Sequence, residues 1–146
     1  MTTTTERRRV EVPLVVSLVG LAISVYLTIE HFTGSTTLAC PEGATINCEK
    51  VTSSSWSTLV GVPVALLGLA YFVVMTFLLT PAAWRRRALD PVRIAGAVAG
   101  AAMVLYLIWI ELFKVNAICL WCTAVHIVTV ILLTTVLWRT FGSEGD

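Results

Sequence analysis

Four cysteines are the residues of this chain whose type and spacing can carry chemistry. Cys40 and Cys48 are separated by seven residues, and Cys119 and Cys122 form a C-x-x-C pair. Two pairs allow three disulfide connectivities, and cysteine pairs exchange disulfides through a mixed disulfide. The pattern therefore predicts thiol–disulfide exchange, with two structural disulfides as the alternative.

The C-x-x-C pair opens the last apolar segment of the chain, which begins near residue 118. The free N–H groups and the dipole at a helix N-terminus stabilise a thiolate and make it reactive. A C-x-x-C disulfide closes a tight and often labile ring, so it is a poor staple for a long loop. Redox chemistry is therefore favoured over a purely structural role for this pair.

Two metal-based alternatives use the same cysteines. Their spacing is compatible with a zinc site, but the sequence places no polar residues nearby to support such ligands. Covalent haem attachment is excluded, because Cys122 is followed by Thr123 rather than by His. We therefore expect no metal site.

The composition places these cysteines in a membrane protein. Of the 146 residues, 57% are hydrophobic and 13% are charged, whereas a soluble domain carries about 25% charged residues. This balance excludes a soluble globular protein, a disordered tail and a nucleic-acid-binding protein. The length corresponds to a single domain, residues 1–146.

Four apolar segments are each long enough to cross a hydrocarbon core of about 30 Å as a helix. They cover residues 12–29, 62–79, 94–113 and 118–137. None of them alternates between polar and apolar residues as a half-buried strand does. The sequence thus predicts an all-α integral membrane protein with four spans, preceded by a disordered leader at residues 1–6.

Basic residues are segregated along the chain. With the N-terminus in the cytoplasm, eight arginines lie on the inner side and only Lys50 and Lys114 on the outer side. The inner set is Arg7, Arg8, Arg9, Arg85, Arg86, Arg87, Arg93 and Arg139. The positive-inside rule then predicts that both termini are cytoplasmic. All four cysteines fall on the outer face of what we expect to be the inner (cytoplasmic) membrane, in an oxidising compartment.

The long outer loop between the first two spans, residues 30–61, carries the first cysteine pair. Three serines at residues 53–55, followed by Trp56, Leu59 and Val60, predict a helix N-cap and a short amphipathic helix on the membrane surface. The outer turn between the last two spans is only a few residues long, around 114–117. Function is therefore expected in the long loop and at the C-x-x-C pair.

Three ionisable residues lie near the outer ends of the last two spans. His126 follows Cys122 by four residues and shares its helix face. Its imidazole can therefore bond a ligand beside that thiol or supply a proton, although a histidine packed inside the bundle is the alternative. Glu111 and Lys114 are spaced for an interfacial ion pair.

Several further residues are interpreted as structural. Glu30 and His31, at the mouth of the first span, are expected to be solvated rather than to bind a ligand. Gly96 and Gly100 in the third span are expected to permit close helix packing. Aromatic side chains can line a flat apolar pocket, although most aromatics in a bundle only pack. Those in question are Tyr26, Phe32, Tyr71, Phe72, Tyr106 and Trp121.

Taken together, these features resemble the vitamin K epoxide reductase family over the whole four-span core. The motifs that carry the resemblance are the C-x7-C pair Cys40 and Cys48, Ser54 with Trp56 after it, Gly61-Val62-Pro63, and Cys119-Leu120-Trp121-Cys122. The resemblance implies a membrane thiol oxidoreductase with a four-helix bundle around a quinone pocket. The quinone is expected to be ubiquinone or menaquinone.

The resemblance also assigns a role to each cysteine. It implies that Cys122 faces the quinone and that Cys119 exchanges with the loop. Cys48 is then the inner shuttle cysteine, and Cys40 is the outer one that meets a thioredoxin-like partner. Ser54 belongs to the hydrogen-bond network of the loop by the same resemblance. We expect Ser54, Trp56 and His126 to bind or support the quinone.

The chain departs from the family in two respects. Vertebrate members carry a Tyr where this chain has His126, and an Asn near the Gly61-Val62 region, so epoxide reduction is less expected here. Some bacterial members carry a fused thioredoxin-like domain, whereas this chain ends at Asp146, so a separate partner protein is expected.

The expected function is to oxidise that partner and pass its electrons through the two cysteine pairs to a membrane quinone. Reduction of vitamin K quinone or its epoxide is the alternative within the family. Two alternatives lie outside this chemistry: a structural membrane protein with static disulfides, and a small metal transporter that uses the cysteines as soft ligands.

Overall fold

The computed structural model describes residues 4–34, 39–41 and 43–142, and for residues 4–10 the backbone path alone. Within these ranges the chain is all-α except for one short hairpin. The α-helices are α1 (Thr4–Thr33), α2 (Cys48–Thr52), α3 (Val64–Leu78), α4 (Pro81–Trp84), α5 (Asp90–Ile110) and α6 (Leu120–Phe141). A π-helix, Glu111–Val115, continues α5, and 3₁₀ turns cover Ser55–Ser57 and Arg87–Leu89. The hairpin pairs β1 (Thr58–Leu59) with β2 (Val62–Pro63) in antiparallel register.

Four of these helices coincide with the four predicted apolar segments. Three helical stretches, Glu11–Thr33, Arg87–Val115 and Leu120–Phe141, are long and apolar enough to cross a membrane. Helix α3 is apolar but shorter, with 15 residues or about 22 Å at 1.5 Å per residue. Its predicted span began at residue 62, but residues 62 and 63 form β2, and Pro63 is the N-cap.

Helix α1 lies between two neighbours in the bundle. It packs along α3 and α6, and α6 packs in turn against α5, whereas α3 and α5 contact each other at few positions. At one end of the bundle apolar side chains fill the space between the helices. They are Phe72, Met75, Leu78, Leu79, Ala97, Leu132 and Val136. At the other end, a cavity remains between α3 and α5.

Small residues in α5 let large side chains of α3 approach its backbone. Gly96 lies against the sulfur of Met75, and Gly100 lies against the hydroxyl end of Tyr71. A Cβ atom at Gly100 would collide with that ring. The expectation that both glycines permit close helix packing is confirmed.

A buried arginine ties the filled end of the bundle together. Arg93 has no exposed surface, and its Nε donates a hydrogen bond of 2.9 Å to the carbonyl of Leu78. Its other nitrogens donate to the carbonyl of Ala83 and to the carboxylate of Asp90, and its guanidinium lies 4.3 Å from the centre of the Trp84 ring. One side chain therefore links the end of α3, α4 and the start of α5.

Helix α1 extends beyond the predicted first segment at both ends. Helix α1 begins at Thr4, so residues 4–6 of the leader are helical rather than disordered, and residues 1–3 lie outside the described part. Helix α1 also continues four residues past its predicted end, where Thr33 Oγ1 donates to the carbonyl of Ile29 at 2.9 Å. It stops before Gly34, whose φ of 89° is typical of a residue that ends a helix.

The amphipathic helix predicted after residues 53–55 is wrong. Its residues form a single 3₁₀ turn that contains Trp56, followed by the hairpin with Leu59 in β1. Val60 and Gly61 connect the strands with φ values of 53° and 81°, as the central residues of a type I′ turn require. A helix cannot pass through two positive φ values. The helical turn of this loop lies earlier, in α2.

Candidate redox site

The structure brings all four cysteines to the end of the bundle where the cavity lies. Cys40 and Cys48 form a disulfide, whereas Cys119 and Cys122 are free thiols. This pairing is one of the three connectivities that the sequence left open. The C-x7-C pair is therefore oxidised while the C-x-x-C pair is reduced.

Short backbone contacts hold Cys48 against the start of α6. Ile46 forms a parallel bridge with Ile118, the N–H of Asn47 donates to the carbonyl of Ile118 at 3.1 Å, and the Asn47 side chain caps α2. Cys48, which is 1% exposed, accepts a 3.3 Å hydrogen bond at its Sγ from the N–H of Leu120. The loop disulfide thus lies next to the residue that follows Cys119.

The segment that carries Cys40 is held by two aromatic residues. Trp121 donates a 2.9 Å hydrogen bond from its Nε1 to the carbonyl of Ala39, and Tyr26 Oη accepts one of 3.2 Å from the N–H of Ala39. The rings of Tyr26 and Trp121 lie 4.9 Å apart. These two aromatics, which the sequence analysis considered as possible pocket residues, position the loop instead and are not among the residues that line the cavity.

The reduced pair occupies the N-terminus of α6. Cys119 is the N-cap and is fully buried, and its Sγ accepts a 3.2 Å hydrogen bond from the N–H of Cys122. The hydrogen bond from the Cys122 side chain lowers the pKa of the Cys119 thiol. Negative charge at a helix N-terminus is also stabilised by the helix dipole. Cys119 is therefore the thiol of this pair that ionises more readily.

A largely apolar cavity of about 270 Å³ lies between α3 and α5. Of the four cysteines only Cys122 lines it. The residues predicted to bind or support a ligand, Ser54, Trp56 and His126, also line it. Further lining residues include Leu27, Val51, Gly68, Phe72, Met103, Val104, Leu107 and Val125.

The loop residues above the cavity are fixed by local contacts. Ser54 donates a 2.8 Å hydrogen bond from its hydroxyl to the carbonyl of Val51. Lys114 places its Nζ 5.7 Å from the centre of the Trp56 ring and 5.2 Å from that of Trp109, a distance suited to cation–π attraction. Lys114 therefore connects the loop to the end of α5.

Three predictions about charged residues at this end are wrong. Lys114 faces the two tryptophan rings, and no ion pair joins it to Glu111 among the described residues. Glu111 is 6% exposed, and its carboxylate lies close to the backbone N–H of Cys119. Glu30 is buried in α1 rather than solvated. His31 is half-buried and lines the cavity. All three differences arise because α1 and the π-helical continuation of α5 extend further outward than the apolar segments from which they were predicted.

Tyr71, one of the aromatics expected to be able to line a pocket, also brings a polar group to the cavity. The Tyr71 hydroxyl is buried and has no hydrogen-bond partner within the described residues, although the ring lines the cavity. Leaving such a group unpaired costs about 1–3 kcal/mol. An oxygen atom of a bound ligand would satisfy it.

The described residues contain no candidate metal site. Within residues 4–34, 39–41 and 43–142, no three His, Cys, Asp or Glu side chains gather in a way that could hold a metal ion.

The comparisons with known proteins give one match. The sequence model of the vitamin K epoxide reductase family matches residues 12–137, which is most of the chain. A search of curated proteins finds no match. The matched residues include all four cysteines, α3, α5 and most of α6.

Proposed function

The chain belongs to the vitamin K epoxide reductase family, and on that premise we propose that it is a quinone-linked thiol oxidase of the membrane. The family consists of membrane oxidoreductases linked to quinone or vitamin K chemistry. We also propose the direction and the path of electron transfer. Electrons pass from a thioredoxin-like protein to Cys40–Cys48, then to Cys119–Cys122, and then to the quinone.

The observation that carries the proposal is the order of the sulfur atoms from the loop to the cavity. Cys48 accepts a hydrogen bond from Leu120, next to Cys119; Cys119 accepts one from Cys122; and Cys122 lines the cavity. Disulfide exchange requires a thiolate to reach the neighbouring sulfur. This order supports a relay in which Cys48 and Cys119 exchange and Cys122 meets the acceptor.

The cavity suits a quinone head group. Its volume of about 270 Å³ lies just below the range of about 300–1,000 Å³ that is common for small-molecule sites, and its walls are mostly apolar. The unpartnered Tyr71 hydroxyl supplies a donor for a carbonyl oxygen. His126 and Cys122 lie one helical turn apart on the same wall. A bound quinone supplies the two-electron acceptor.

The relay can be written as balanced exchange steps. The partner's dithiol reduces the Cys40–Cys48 disulfide, and the Cys48 thiolate then attacks Cys119 of an oxidised C-x-x-C pair. Cys40 next attacks Cys48, which closes the loop disulfide again and leaves Cys119 and Cys122 as thiols. The arrangement in the structure, with an oxidised loop pair and a reduced C-x-x-C pair, corresponds to the state after this transfer.

We propose that all four apolar helices cross the inner membrane as one domain, with both termini in the cytoplasm. The short helix α3 is included because it runs from the cavity end of the bundle to the end tied by Arg93. Arg85, Arg86 and Arg87 follow it, which the positive-inside rule assigns to the cytoplasm. The cysteines then face the oxidising side.

We further propose that the electron donor is a separate thioredoxin-like protein. Cys40 is half-buried whereas Cys48 is almost fully buried, so Cys40 is the sulfur of the loop disulfide that an external thiolate reaches more easily. Attack at Cys40 would leave Cys48 as the thiolate nearest to Cys119.

The test is quinone reduction by the purified protein in detergent, followed by absorbance. The wild type, Cys122→Ala and Cys40→Ala are each supplied with either a small dithiol or a reduced thioredoxin-like protein. We expect Cys122→Ala to be inactive with both donors, because its inner pair is broken. Cys40→Ala should lose activity with the protein donor while retaining activity with the small dithiol, which can reach Cys119 and Cys122 directly.

Two results would contradict the proposal. A wild type that reduces neither ubiquinone nor menaquinone analogues would favour static disulfides. A wild type that consumes dithiol only when vitamin K epoxide is the acceptor would favour the epoxide reaction of the family instead.

A further inference from the structure

Glu111 is a buried acid at the point where the thiol pair meets the cavity. Its side chain is 6% exposed and lines the same cavity as Cys122 and His126. Its carboxylate lies close to the backbone N–H of Cys119. The relay of cysteines described above does not use it.

The backbone around Glu111 departs from a regular helix in a way that turns the chain toward the cysteines. The α-helix changes to a π-helix at this residue, and π-helical turns occur frequently at functional sites. The Glu111 carbonyl accepts a 3.2 Å hydrogen bond from the N–H of Ala117, and Asn116 adopts a left-handed conformation with φ of 51°. This turn brings Cys119 back onto the Glu111 side chain.

The charged and titratable groups around Glu111 come from three other elements. His31 of α1, Tyr71 of α3, and Cys122 and His126 of α6 line the same cavity. On its own element, Lys114 is directed to the Trp56 and Trp109 rings. No cation is paired with the Glu111 carboxylate among the described residues.

We propose that Glu111 is a catalytic proton carrier, which takes a proton from the Cys119–Cys122 thiol pair and delivers it to an oxygen of the quinone. The inference rests on the proposed function, since it needs a quinone in the cavity. A buried carboxyl beside the reacting groups is a suitable general acid and base, because it is held within reach of the proton that it moves.

The protons and electrons of this step balance. The sulfur of the Cys119 thiolate bonds to that of Cys122, and the pair gives up two electrons to the quinone. The proton of the Cys122 thiol moves to Glu111 and then to one quinone oxygen, and Glu111 ends as a carboxylate. The other quinone oxygen takes a proton from water. This proton balances the one that Cys119 released to water when it ionised. The products are one disulfide and one quinol.

The test compares Glu111→Gln with Glu111→Asp and a matched control, Glu30→Gln. Gln keeps an oxygen that can lie close to the N–H of Cys119 but cannot carry a proton, whereas Asp can carry one. Glu30 is also a buried carboxyl at this end of the bundle, but it does not line the cavity. Two readouts are taken: quinone reduction driven by a small dithiol, and the pH midpoint of Cys119 alkylation in quinone-free protein.

In Glu111→Gln, we expect Cys119 to ionise more readily while quinone reduction becomes slower. The negative charge of Glu111 raises the pKa of Cys119, so its removal should shift the alkylation midpoint to lower pH. Quinone reduction should nevertheless slow by about 100-fold, at the lower end of what general acid–base catalysis contributes. Glu111→Asp should recover part of the rate, and Glu30→Gln should match the wild type in both readouts.

Each other outcome has a distinct meaning. An active wild type with an equally active Glu111→Gln variant would overturn the role of Glu111 alone. Loss of turnover together with an unchanged alkylation midpoint and a lowered unfolding temperature would mean that Glu111 is structural, and would also overturn it. A wild type that reduces no quinone would contradict the proposed function itself, and the proton-carrier role would fall with it.

Discussion

At the scale of single residues, the chemistry depends on two hydrogen bonds to sulfur at the N-terminus of α6. Cys48 accepts one from the N–H of Leu120, and Cys119 accepts one from the N–H of Cys122. Both sulfurs therefore lie where a helix stabilises negative charge. When the Cys48 thiolate attacks Cys119, Cys122 leaves as the thiolate; when Cys40 then attacks Cys48, Cys119 leaves at the helix N-terminus, where its negative charge is stabilised.

The reactivity of Cys119 should depend on pH in a defined direction. The hydrogen bond from the Cys122 side chain lowers the pKa of Cys119 from its ordinary value, so a larger fraction is thiolate at a given pH than for an unperturbed cysteine. The pH at which Cys119 alkylation reaches half its maximal rate should therefore lie below that of an unperturbed cysteine. In Cys122→Ala the midpoint should move to higher pH. A midpoint unaffected by this substitution would contradict the role of the hydrogen bond.

The Tyr71 hydroxyl should contribute to ligand binding rather than to stability. In Tyr71→Phe, loss of one hydrogen bond of about 1 kcal/mol should raise the KM for a quinone analogue by about 5-fold. The unfolding temperature should not fall, because the hydroxyl has no partner among the described residues. Tyr106→Phe, which lies outside the cavity lining, is the control. An unchanged KM for Tyr71→Phe would mean that the hydroxyl does not reach the ligand.

Residue spacing was enough to predict the four cysteines as the candidate site, but not the contacts that surround them. The C-x-x-C pair, and the helix face that Cys122 shares with His126, could be predicted from sequence spacing, because these residues lie within two turns of one helix. The contacts of Trp121 with Ala39, and of Glu111 with Cys119, depend on loops that fold back onto the bundle. Helical spacing and opposite charge predicted that Glu111 pairs with Lys114, but the chain is π-helical from Glu111 to Val115 and Lys114 faces two tryptophan rings instead.

At the scale of elements, the outer loop is organised by backbone pairing that leaves little trace in the sequence. The bridge between Ile46 and Ile118 aligns the loop with the start of α6, and the Val60-Gly61 turn closes a hairpin in place of the predicted amphipathic helix. The length of the apolar segments located the four apolar helices well, because a helix that crosses a hydrocarbon core needs about 20 consecutive apolar residues. It could not reveal short pairings that join distant parts of the chain.

The buried arginine at the other end of the bundle should matter to stability. Arg93→Met would leave Asp90 and two carbonyls without their donor, which should destabilise the fold by about 3 kcal/mol or more. Thermal unfolding in detergent measures this effect. Arg87→Met changes an exposed arginine and should alter the unfolding temperature little. Equal unfolding temperatures for the two variants would contradict the role assigned to Arg93.

At the scale of the whole molecule, the bundle has a filled end and a hollow end. Phe72, Met75 and Leu132 close the space between the helices near Arg93, whereas the cavity opens beneath the cysteines. The composition and the four apolar runs were sufficient to predict a membrane bundle of the correct class. They could not reveal which end was hollow, because that depends on how far apart α3 and α5 lie.

If Cys48 and Cys119 exchange, a disulfide between them can be trapped. In the double variant Cys40→Ser and Cys122→Ser, only Cys48 and Cys119 remain, and mild oxidation followed by mass spectrometry should find them joined in most molecules. The matched control, Cys48→Ser with Cys122→Ser, leaves Cys40 and Cys119, which should join far less. Free thiols at Cys48 and Cys119, or equal cross-linking in the control, would contradict the relay.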